Sequence, residues 1–316
     1  MKVLITGGAG FIGSHLAQLL MKKNDEVFII DCLHSYYSPE RKQQHLKNIQ
    51  DFGSFQFFDV NLLDREKTMS LFKQISPEAV IHLAALPGVA YSISTPLEYV
   101  DYDIKATINV LEASGESKVN QVIFASSSSV YGNQQEIPLR EDMAVGKVIS
   151  PYAASKYAAE SFCHVYEHLY GFKVKILRFF TVYGPWQRPD MAIASFIKKL
   201  LRHEEITVFG KGSSRDYTYI DDIINGIYLA MTKLDKSEIL NLGSGKAISM
   251  EMLLSELKPF FPNMKVNWEA ERKGDVHATW ADISKANRVL GYNPQMDFKT
   301  GLSKTVEWAM KNEKLL

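Results

Sequence analysis

The stretch ITGGAGFIGSHLAQLL, residues 5–20, starts at the end of an apolar, strand-like segment and continues with the apolar spacing of a helix. Gly7, Gly10 and Gly13 lie in the turn between the two segments. Glycines at this spacing permit a tight turn and a close backbone approach, and the N-terminus of the following helix offers unpaired N–H groups to a pyrophosphate. The stretch therefore predicts a dinucleotide site at the start of an α/β fold.

The same alternation of strand and helix patterns continues along the next 160 or so residues. Apolar runs without polar alternation are typical of strands that are buried on both faces of a parallel sheet. We therefore predict an α/β fold with a Rossmann-like, doubly wound parallel sheet. The predicted strands are KVLIT (2–6), EVFIID (26–31), FQFFDV (55–60), AVIHLAA (79–85), QVIFASS (121–127) and VKILRFF (174–180), with helices near 12–23, 64–75, 97–115 and 152–170.

The composition of the chain changes after about residue 180. Pro, Gly and charged residues become denser there, as in FGKGSSRDYTY (209–219) and ERKGDVHATWAD (271–282). We predict a dinucleotide-binding domain at 1–180, to which some later segments return, and a smaller α/β C-terminal substrate lobe at 181–316. Because ligands of open α/β sheets bind beyond the carboxyl ends of the strands, the loops after each strand are the predicted site.

Charge and composition narrow the class of protein. The 36 basic and 36 acidic side chains balance, so a nucleic-acid or membrane partner is not indicated. The longest apolar run, AVIHLAALPGVA, is too short to span a bilayer. Cys32 and Cys163 lack metal-ligand spacing and form no disulfide framework, and a strand-like segment begins at once, without a signal peptide. We expect a cytoplasmic protein and no metal site.

Acidic residues follow the second and third predicted strands. Asp31 ends the second strand, where a carboxylate can accept hydrogen bonds from an adenosine ribose and repel a 2′-phosphate. This favours NAD over NADP, although Asp31 could instead cap the following loop. Asp59 and Val60 end the third strand and would border the adenine, but Asp59 could equally be a turn residue.

The segment SPYAASKYAAE, residues 150–160, contains the residues best suited to acid–base chemistry. Tyr152 and Lys156 are four positions apart and so share a helical face, where the lysine ammonium can favour the tyrosine phenolate. Taken alone, the two could be an ordinary surface pair. Ser127 ends the fifth predicted strand, 25 positions before Tyr152. The three side chains together predict a proton-handling triad beside a nicotinamide.

The chain resembles the extended short-chain dehydrogenase/reductase family of nucleotide-sugar enzymes over essentially its whole length. The motifs that carry the likeness are GGAGFIG, HLAA, SVYG, the YxxxK pair, RDYTYIDD and WADISKA. Within the family, DCLHSYYSPERK, AALPGVAYS and RFFTVYGPWQRPDMA are most similar to the UDP-glucuronate 4-epimerases. Related dehydratases and decarboxylases typically carry an acidic residue just before VYG, and Ser129 stands in that place here.

The resemblance implies an NAD-dependent isomerase that converts UDP-glucuronate to UDP-galacturonate by transient oxidation at C4. Tyr152 would act as the acid/base, Lys156 would hold the nicotinamide ribose, and Ser127 would share the hydrogen bond to O4. It also implies that further residues contact the cofactor, namely Phe11, Ile12, Leu83, Ala84, Ala85 and Phe179.

The resemblance implies a substrate site as well. A 4-keto glucuronate is a β-keto acid that loses CO₂ readily, so Ser128, Ser129 and Thr181 are expected to fix its carboxylate, although each could be an ordinary loop hydroxyl. Arginines are suited to bidentate phosphate binding. The remaining substrate residues implied by the resemblance are Pro87, Gly88, Val89, Arg188, Met191, Arg215, Arg272 and Asp275.

Several alternatives stay open at this point. A UDP-glucose or UDP-N-acetylglucosamine 4-epimerase would use the same chemistry on a different substrate. The other possible functions are a UDP-glucuronate decarboxylase and a non-catalytic NAD-binding regulator. Family likeness suggests a homodimer through the helices at 97–115 and 152–170. Relatives commonly carry an Asn in the helix after the fourth strand where this chain has Asp103, so cofactor contacts there are open.

Overall fold

The structure is a computed structural model that describes residues 1–271, Gly274 and residues 276–315. The strands are β1 (Lys2–Thr6), β2 (Glu26–Asp31), β3 (Phe55–Asp59), β4 (Ala79–His82), β5 (Gln121–Ser127), β6 (Lys173–Phe179), β7 (Thr181–Tyr183), β8 (Ile206–Phe209), β9 (Ser214–Arg215), β10 (Tyr217–Tyr219), β11 (Glu238–Leu242), β12 (Ile248–Ser249), β13 (Val266–Glu269) and β14 (Ala278–Thr279).

The α-helices alternate with the strands of the first half and dominate the second half of the chain. They are α1 (Phe11–Lys22), α2 (Pro39–Gln50), α3 (Arg65–Ile75), α4 (Val89–Ser94), α5 (Pro96–Tyr99), α6 (Ala106–Glu116), α7 (Pro151–Tyr170), α8 (Ala192–Leu201), α9 (Ile220–Lys233), α10 (Met250–Leu257), α11 (Ser284–Leu290) and α12 (Phe298–Lys311). A π-helical turn, Val100–Lys105, joins α5 to α6 without a break.

Seven parallel strands form the main sheet in the order β11-β6-β5-β4-β1-β2-β3. The strand order reverses between β1 and β4, which pair directly from Val3↔Ala79 to Thr6↔His82. At such a switch point the loops after the two strands diverge to opposite faces and leave a crevice between them. The loops that begin at Gly7 and Leu83 therefore border the predicted site.

The sheet is buried on both faces, as its unbroken apolar strands indicate. Val3 and Ile5 pack into one hydrophobic cluster with α1 and α9, whereas Leu4 packs into a second cluster with α3, α6 and α7. Successive side chains of a strand point to opposite faces, so one strand supplies both layers. The predicted doubly wound parallel sheet is confirmed.

The structure moves one predicted boundary and adds one helix that was not predicted. The fourth strand ends at His82 rather than residue 85, because residues 83–88 leave the sheet to form the loop at the switch point. Helix α2 was not predicted, since only Leu46 and Ile49 give it an apolar stripe. Its sequence signal is the start: Ser38 accepts a hydrogen bond from the Arg41 N–H at 3.2 Å and Pro39 occupies the first turn.

The chain after residue 180 forms small sheets beside the carboxyl ends of the main strands. β7 pairs with β10, β8 pairs with β13, and β9 lies between β12 and β14. β11 returns to the main sheet beside β6.

Over the range that the structure describes, every helix is too short or too polar to cross a membrane.

Candidate active site

The glycine-rich loop after β1 is packed so closely that side chains cannot enter it. A Cβ on Gly7, whose φ is +73°, would lie 2.7 Å from the Ala84 nitrogen, and a Cβ on Gly13 would lie 2.4 Å from the Gly7 carbonyl oxygen. Gly10 caps α1 without a side-chain hydrogen bond, so the first N–H groups of the helix remain available. The loop has the close backbone approach and the free helix N-terminus that a pyrophosphate requires.

Two side chains fix the middle of this loop at Ala9. The Ala9 N–H donates to Asp31 Oδ2 at 3.1 Å, and His45 Nδ1 lies 2.8 Å from the Ala9 carbonyl oxygen. Burial lowers the pKa of His45 to about 4, so the ring is neutral and can donate from Nδ1. Sequence reasoning missed His45 because it lies on the unpredicted helix α2.

Asp31 caps the loop that follows β2 and also lines the cavity. Its Oδ1 accepts from the Leu33 N–H at 2.9 Å, which is the loop-capping role, while the side chain also lines the cavity described below. Burial raises the pKa of Asp31, and the Lys42 ammonium acts in the opposite direction. Each carboxylate oxygen has a second lone pair, so a ribose hydroxyl could still donate to it.

Helix α7 presents the tyrosine and the lysine. Ser150 caps it by accepting from the Ala153 N–H at 3.2 Å, and Pro151 pre-forms its first turn. Tyr152 is half-buried one turn before Lys156, which is 5% exposed and donates to the Ala125 carbonyl oxygen of β5 at 3.1 Å. The lysine is thus drawn toward the end of the strand that carries Ser127.

The serines after β5 form a short 3₁₀ helix, Ser128–Tyr131. Ser127 Oγ accepts from the Ser129 N–H at 3.2 Å, and the two hydroxyl oxygens also lie 3.2 Å apart. Ser128 and Ser129 are both partly exposed toward the cavity. The loop therefore offers a row of hydroxyl groups beside Ser127, with no carboxylate among residues 126–129.

Arg188 forms a bidentate ion pair two residues along its own loop. Its Nε and Nη2 donate to the two carboxylate oxygens of Asp190 at 3.0 and 2.9 Å, and the Tyr36 hydroxyl donates to Asp190 Oδ2 at 3.2 Å. Burial would raise the pKa of Asp190, but the guanidinium outweighs it and the pKa is lower than usual. The Arg188 charge also interacts with the Tyr152 hydroxyl, so this arginine lies toward the end of the cavity that Tyr152 lines.

One cavity of about 420 Å³ brings most of the predicted residues together. That volume is within the range of small-molecule sites. The predicted residues that line it are Gly7, Gly10, Phe11, Ile12, Gly13, Asp31, Val60, Leu83, Ala84, Ala85, Pro87, Gly88, Val89, Ser127, Ser128, Ser129, Tyr152, Lys156, Phe179, Thr181, Arg188, Met191 and Arg215.

Three predicted residues are not placed in the cavity. Asp59 is exposed at the end of β3 and does not line it, so its adenine contact stays a prediction. Arg272 and Asp275 lie outside the described residues. Nearby, Arg215 donates to the carbonyl oxygens of Ser214 and His277, which places its guanidinium where β9 meets β14.

The cavity also contains aromatic and basic side chains that were not assigned individually. Tyr36, Tyr37 and Lys42 come from the segment after β2, and Tyr102 comes from the π-helical turn. The first three belong to DCLHSYYSPERK, one of the motifs that carry the family resemblance. The packing explains one of them, because a Cβ on Gly88 would meet the Tyr36 hydroxyl at 2.8 Å.

Comparison with known proteins gives consistent matches. A model of the NAD dependent epimerase/dehydratase family matches residues 3–243. The chain is 39% identical over 316 residues to UDP-glucuronate 4-epimerase of Thermodesulfobacterium geofontis, covering 99% of this chain and 97% of that protein.

Two solved structures extend the comparison. UDP-glucuronic acid 4-epimerase from Bacillus cereus, in complex with UDP-glucuronic acid and NAD, superposes with a TM-score of 0.92 at 36% identity, covering 98% of this chain and 99% of that one. UDP-glucose 4-epimerase from Thermotoga maritima, with UDP-glucose, superposes with a TM-score of 0.90 at 33% identity and the same coverage.

Proposed function

The chain belongs to the NAD-dependent epimerase/dehydratase family, and we propose that it is an isomerase that interconverts UDP-glucuronate and UDP-galacturonate. The observation that carries the proposal is the single cavity in which the glycine-rich loop meets Ser127, Tyr152 and Lys156. A cofactor site alone would fit any dehydrogenase-like protein. The triad beside it supports acid–base chemistry at a sugar hydroxyl, and the 39% identity to a UDP-glucuronate 4-epimerase supports the substrate.

The residues around the glycine-rich loop fit NAD. Gly7 and Gly13 leave a cradle that a Cβ would fill, α1 has no side-chain cap, and Asp31 lines the same cavity, where it would bind the adenosine ribose. NAD, when bound, supplies reversible oxidation at C4 of the sugar. The carboxylate of Asp31 would repel a 2′-phosphate, which favours NAD over NADP.

Proton transfer falls to Tyr152, which would accept the proton of O4 and later return it. Lys156 can support the phenolate because its ammonium is buried on the same face of α7, where water screens it little. Ser127 would hydrogen-bond O4 and align the proton with the tyrosine. These roles require the C4 ketone to turn over in the site so that both of its faces can be reduced.

The C4 ketone of a glucuronate would lose CO₂ if its carboxylate were free to rotate. Ser128, Ser129 and Thr181 line the cavity with hydroxyl groups, and hydroxyl donors can hold a carboxylate without supplying a base. Ser129 stands where related dehydratases and decarboxylases typically carry an acid. This substitution favours simple epimerisation over decarboxylation.

The lobe at 181–316 would bind the UDP portion of the substrate. Arg215 lies at the β9–β14 junction and lines the cavity, so its guanidinium can reach a diphosphate. Arg188, which interacts with Tyr152, would instead serve the sugar end. Arg272 and Asp275 remain expected nucleotide contacts outside the described residues.

The test is to incubate the purified protein separately with UDP-glucuronate, UDP-glucose and UDP-N-acetylglucosamine and to resolve the products by NMR. We expect UDP-galacturonate from the first and far slower conversion of the other two. Preferred turnover of UDP-glucose would favour the main alternative, which the Thermotoga maritima match supports. A UDP-pentose product would indicate a decarboxylase. Absence of any product, with NAD bound, would favour a non-catalytic regulator.

We also propose that the protein is a homodimer. Leu97, before the π-helical turn, is 77% exposed, and on α7 Val165 and Leu169 are 48% and 64% exposed. Both helical segments pack against each other within the chain, so their apolar side chains can contribute to one surface. Large exposed apolar side chains on neighbouring helices are typical of a protein–protein interface.

A reduced, cytoplasmic location is the remaining part of the proposal. Cys32 is half-buried and Cys163 is buried, and both are free thiols. Free cysteines persist in compartments that keep thiols reduced. Fractionation of cells followed by immunoblotting would test the location directly.

A further inference from the structure

Asp103 lies in the π-helical turn between α5 and α6, and its carboxylate joins two other elements. Oδ1 accepts from the Leu86 N–H at 2.7 Å, and Oδ2 accepts from Ser155 Oγ at 2.9 Å. The residue is 1% exposed. π-Helical turns inside α-helices are frequent at functional sites, and this one turns an acidic side chain into the protein interior.

The two partners belong to the machinery of the site. Leu86 directly precedes Pro87, in the loop that lines the cavity at the switch point. Ser155 lies between Tyr152 and Lys156 on α7, and its hydroxyl is also 2.8 Å from the Tyr152 carbonyl oxygen. A single carboxylate therefore connects the loop at residues 83–88, the substrate loop, to α7, which carries Tyr152 and Lys156.

The negative charge of Asp103 also acts on a buried cation, the ammonium of Lys156. The ammonium of Lys156 donates to the Ala125 carbonyl oxygen and lies 5.2 Å from the centre of the Phe124 ring, and both partners are neutral. The Asp103 carboxylate interacts electrostatically with this ammonium. A buried ammonium with neutral neighbours is unfavourable unless an opposite charge lies nearby.

We infer that Asp103 is a positioning residue of the active site, which fixes the substrate loop to α7 and supplies the negative counter-charge of Lys156. The Leu86 N–H can only donate, so Oδ1 is an acceptor, and the positive charge of Lys156 favours the ionised form of the carboxylate. Burial raises the pKa of Asp103, while Lys156, Leu86 and Ser155 act in the opposite direction. This inference rests on the proposed 4-epimerisation, because it assigns Asp103 a part in that reaction.

The other titratable groups that face this region do not change their protonation state near neutral pH. Burial lowers the pKa of His82 on β4 to about 3 and raises that of Tyr36 to about 12. Burial raises the pKa of Tyr99 on α5 still further, and Arg188 stays protonated. On the same turn as Asp103, Asp101 and Lys105 are exposed and well screened by solvent.

The counter-charge has a consequence that a purely structural role lacks. Removing a buried negative charge favours the deprotonated form of the acid–base groups near it. We therefore expect both limbs of the pH–kcat profile of Asp103→Asn to move together toward acid, by roughly half a unit to one unit. Asparagine is isosteric and retains an acceptor for the Leu86 N–H.

Two variants are matched controls. Ser155→Ala removes the hydrogen bond but keeps the charge, so its rate can fall while both limbs stay at the wild-type pH. Asp101→Asn removes an exposed carboxylate from the same turn and should leave the profile unchanged. Bound NAD and the thermal unfolding midpoint are measured for every variant. If Asp103→Asn does not fold, Asp103→Ser, which keeps an acceptor without the charge, is expected to show the same shifts.

The outcomes are distinguishable. A wild-type protein that makes no UDP-galacturonate overturns the proposed function, whatever Asp103 does. An active wild type combined with a folded Asp103→Asn whose limbs coincide with those of the wild type overturns this inference alone. Equal limb shifts in Ser155→Ala would also overturn it, because they would trace the effect to geometry instead of charge.

Discussion

The ring of Tyr99 packs edge to face against the ring of Tyr152, with centroids 6.0 Å apart and an interplanar angle of 74°. The Tyr99 hydroxyl lies 2.9 Å from the carbonyl oxygens of both Pro87 and Gly88. Tyr99 thus holds the Tyr152 ring on one side and the loop of Pro87 and Gly88 on the other. Because this support acts on the ring, it survives removal of the Tyr152 hydroxyl.

Tyr152→Phe should nearly abolish epimerisation while leaving the fold, bound NAD and UDP affinity almost unchanged. The substitution removes the proton acceptor but keeps the ring that packs on Tyr99. Loss of general acid–base catalysis typically lowers kcat by about 10²–10⁴-fold. Product formation from UDP-glucuronate and UDP binding by calorimetry give the two measurements. Tyr157→Phe on the same helix is the control, and activity within a few-fold of wild type in Tyr152→Phe would refute the acid/base role.

The hydroxyl groups of Ser128 and Thr181 should control the fate of the C4 ketone. Replacing both by alanine loosens the carboxylate, so that the C5–C6 bond can align with the carbonyl and release CO₂. A hydrogen bond to a charged group contributes about 1.5–3 kcal/mol, enough to change a product ratio roughly tenfold or more. We expect the ratio of UDP-pentose species to UDP-galacturonate to rise by that amount in anion-exchange chromatography. Thr232→Ala on α9 is the control, and an unchanged ratio would mean that other groups hold the carboxylate.

Gly13→Ala should yield protein that is purified with little or no NAD. The new Cβ would lie 2.4 Å from the Gly7 carbonyl oxygen and 2.7 Å from the Gly8 Cα, so the backbone of the glycine-rich loop must move. Alanine is intrinsically better than glycine inside a helix by about 1 kcal/mol, so any loss arises from the loop and not from α1. Cofactor released on denaturation is quantified by mass spectrometry. Gly212→Ala adds a Cβ in open space, away from the glycine-rich loop, and should retain NAD as the wild type does, although its φ of +79° strains alanine locally.

Glu160→Gln should strongly destabilise the protein. Arg178 donates to both Glu160 oxygens at 2.9 and 2.7 Å, and Ser126 donates to one of them at 2.5 Å, with both charged side chains at most 5% exposed. Removing the Glu160 charge leaves the buried Arg178 charge without its ionic partner, which typically lowers the free energy of unfolding by about 3–5 kcal/mol. Denaturant unfolding measures the loss. Glu112→Gln breaks the exposed pair with Arg65 and should have a much smaller effect; equal losses would contradict the argument.

Leu169→Glu should convert the proposed dimer to a monomer. The side chain is 64% exposed on α7 in the single chain, and a charge buried at its place in an interface would lack a partner. Light scattering should give a mass near twice 35.8 kDa for the wild type and near 35.8 kDa for the variant. Met252→Glu, on the distant helix α10, should remain dimeric. A wild-type mass of a single chain would end the dimer proposal.

The amino-acid sequence by itself determined the parts of this protein that depend on local patterns. Uninterrupted apolar runs specified strands buried on both faces, Gly7, Gly10 and Gly13 specified the turn into α1, and the four-residue spacing placed Tyr152 and Lys156 on one helical face. Each of these follows from backbone sterics or from the period of a single element, so neighbouring residues suffice to predict it.

Only the tertiary structure decided which distant side chains meet. Strand order at the switch point brings Tyr36 to Asp190, 154 positions away in sequence, and Asp103 to Leu86 and Ser155. Helix α2 also depends on tertiary contacts, since its apolar stripe is too narrow to be recognised and its polar residues Arg41, Lys42 and His45 are buried by their neighbours. Pairings of this kind are set by how the layers pack, and no local period in the sequence records them.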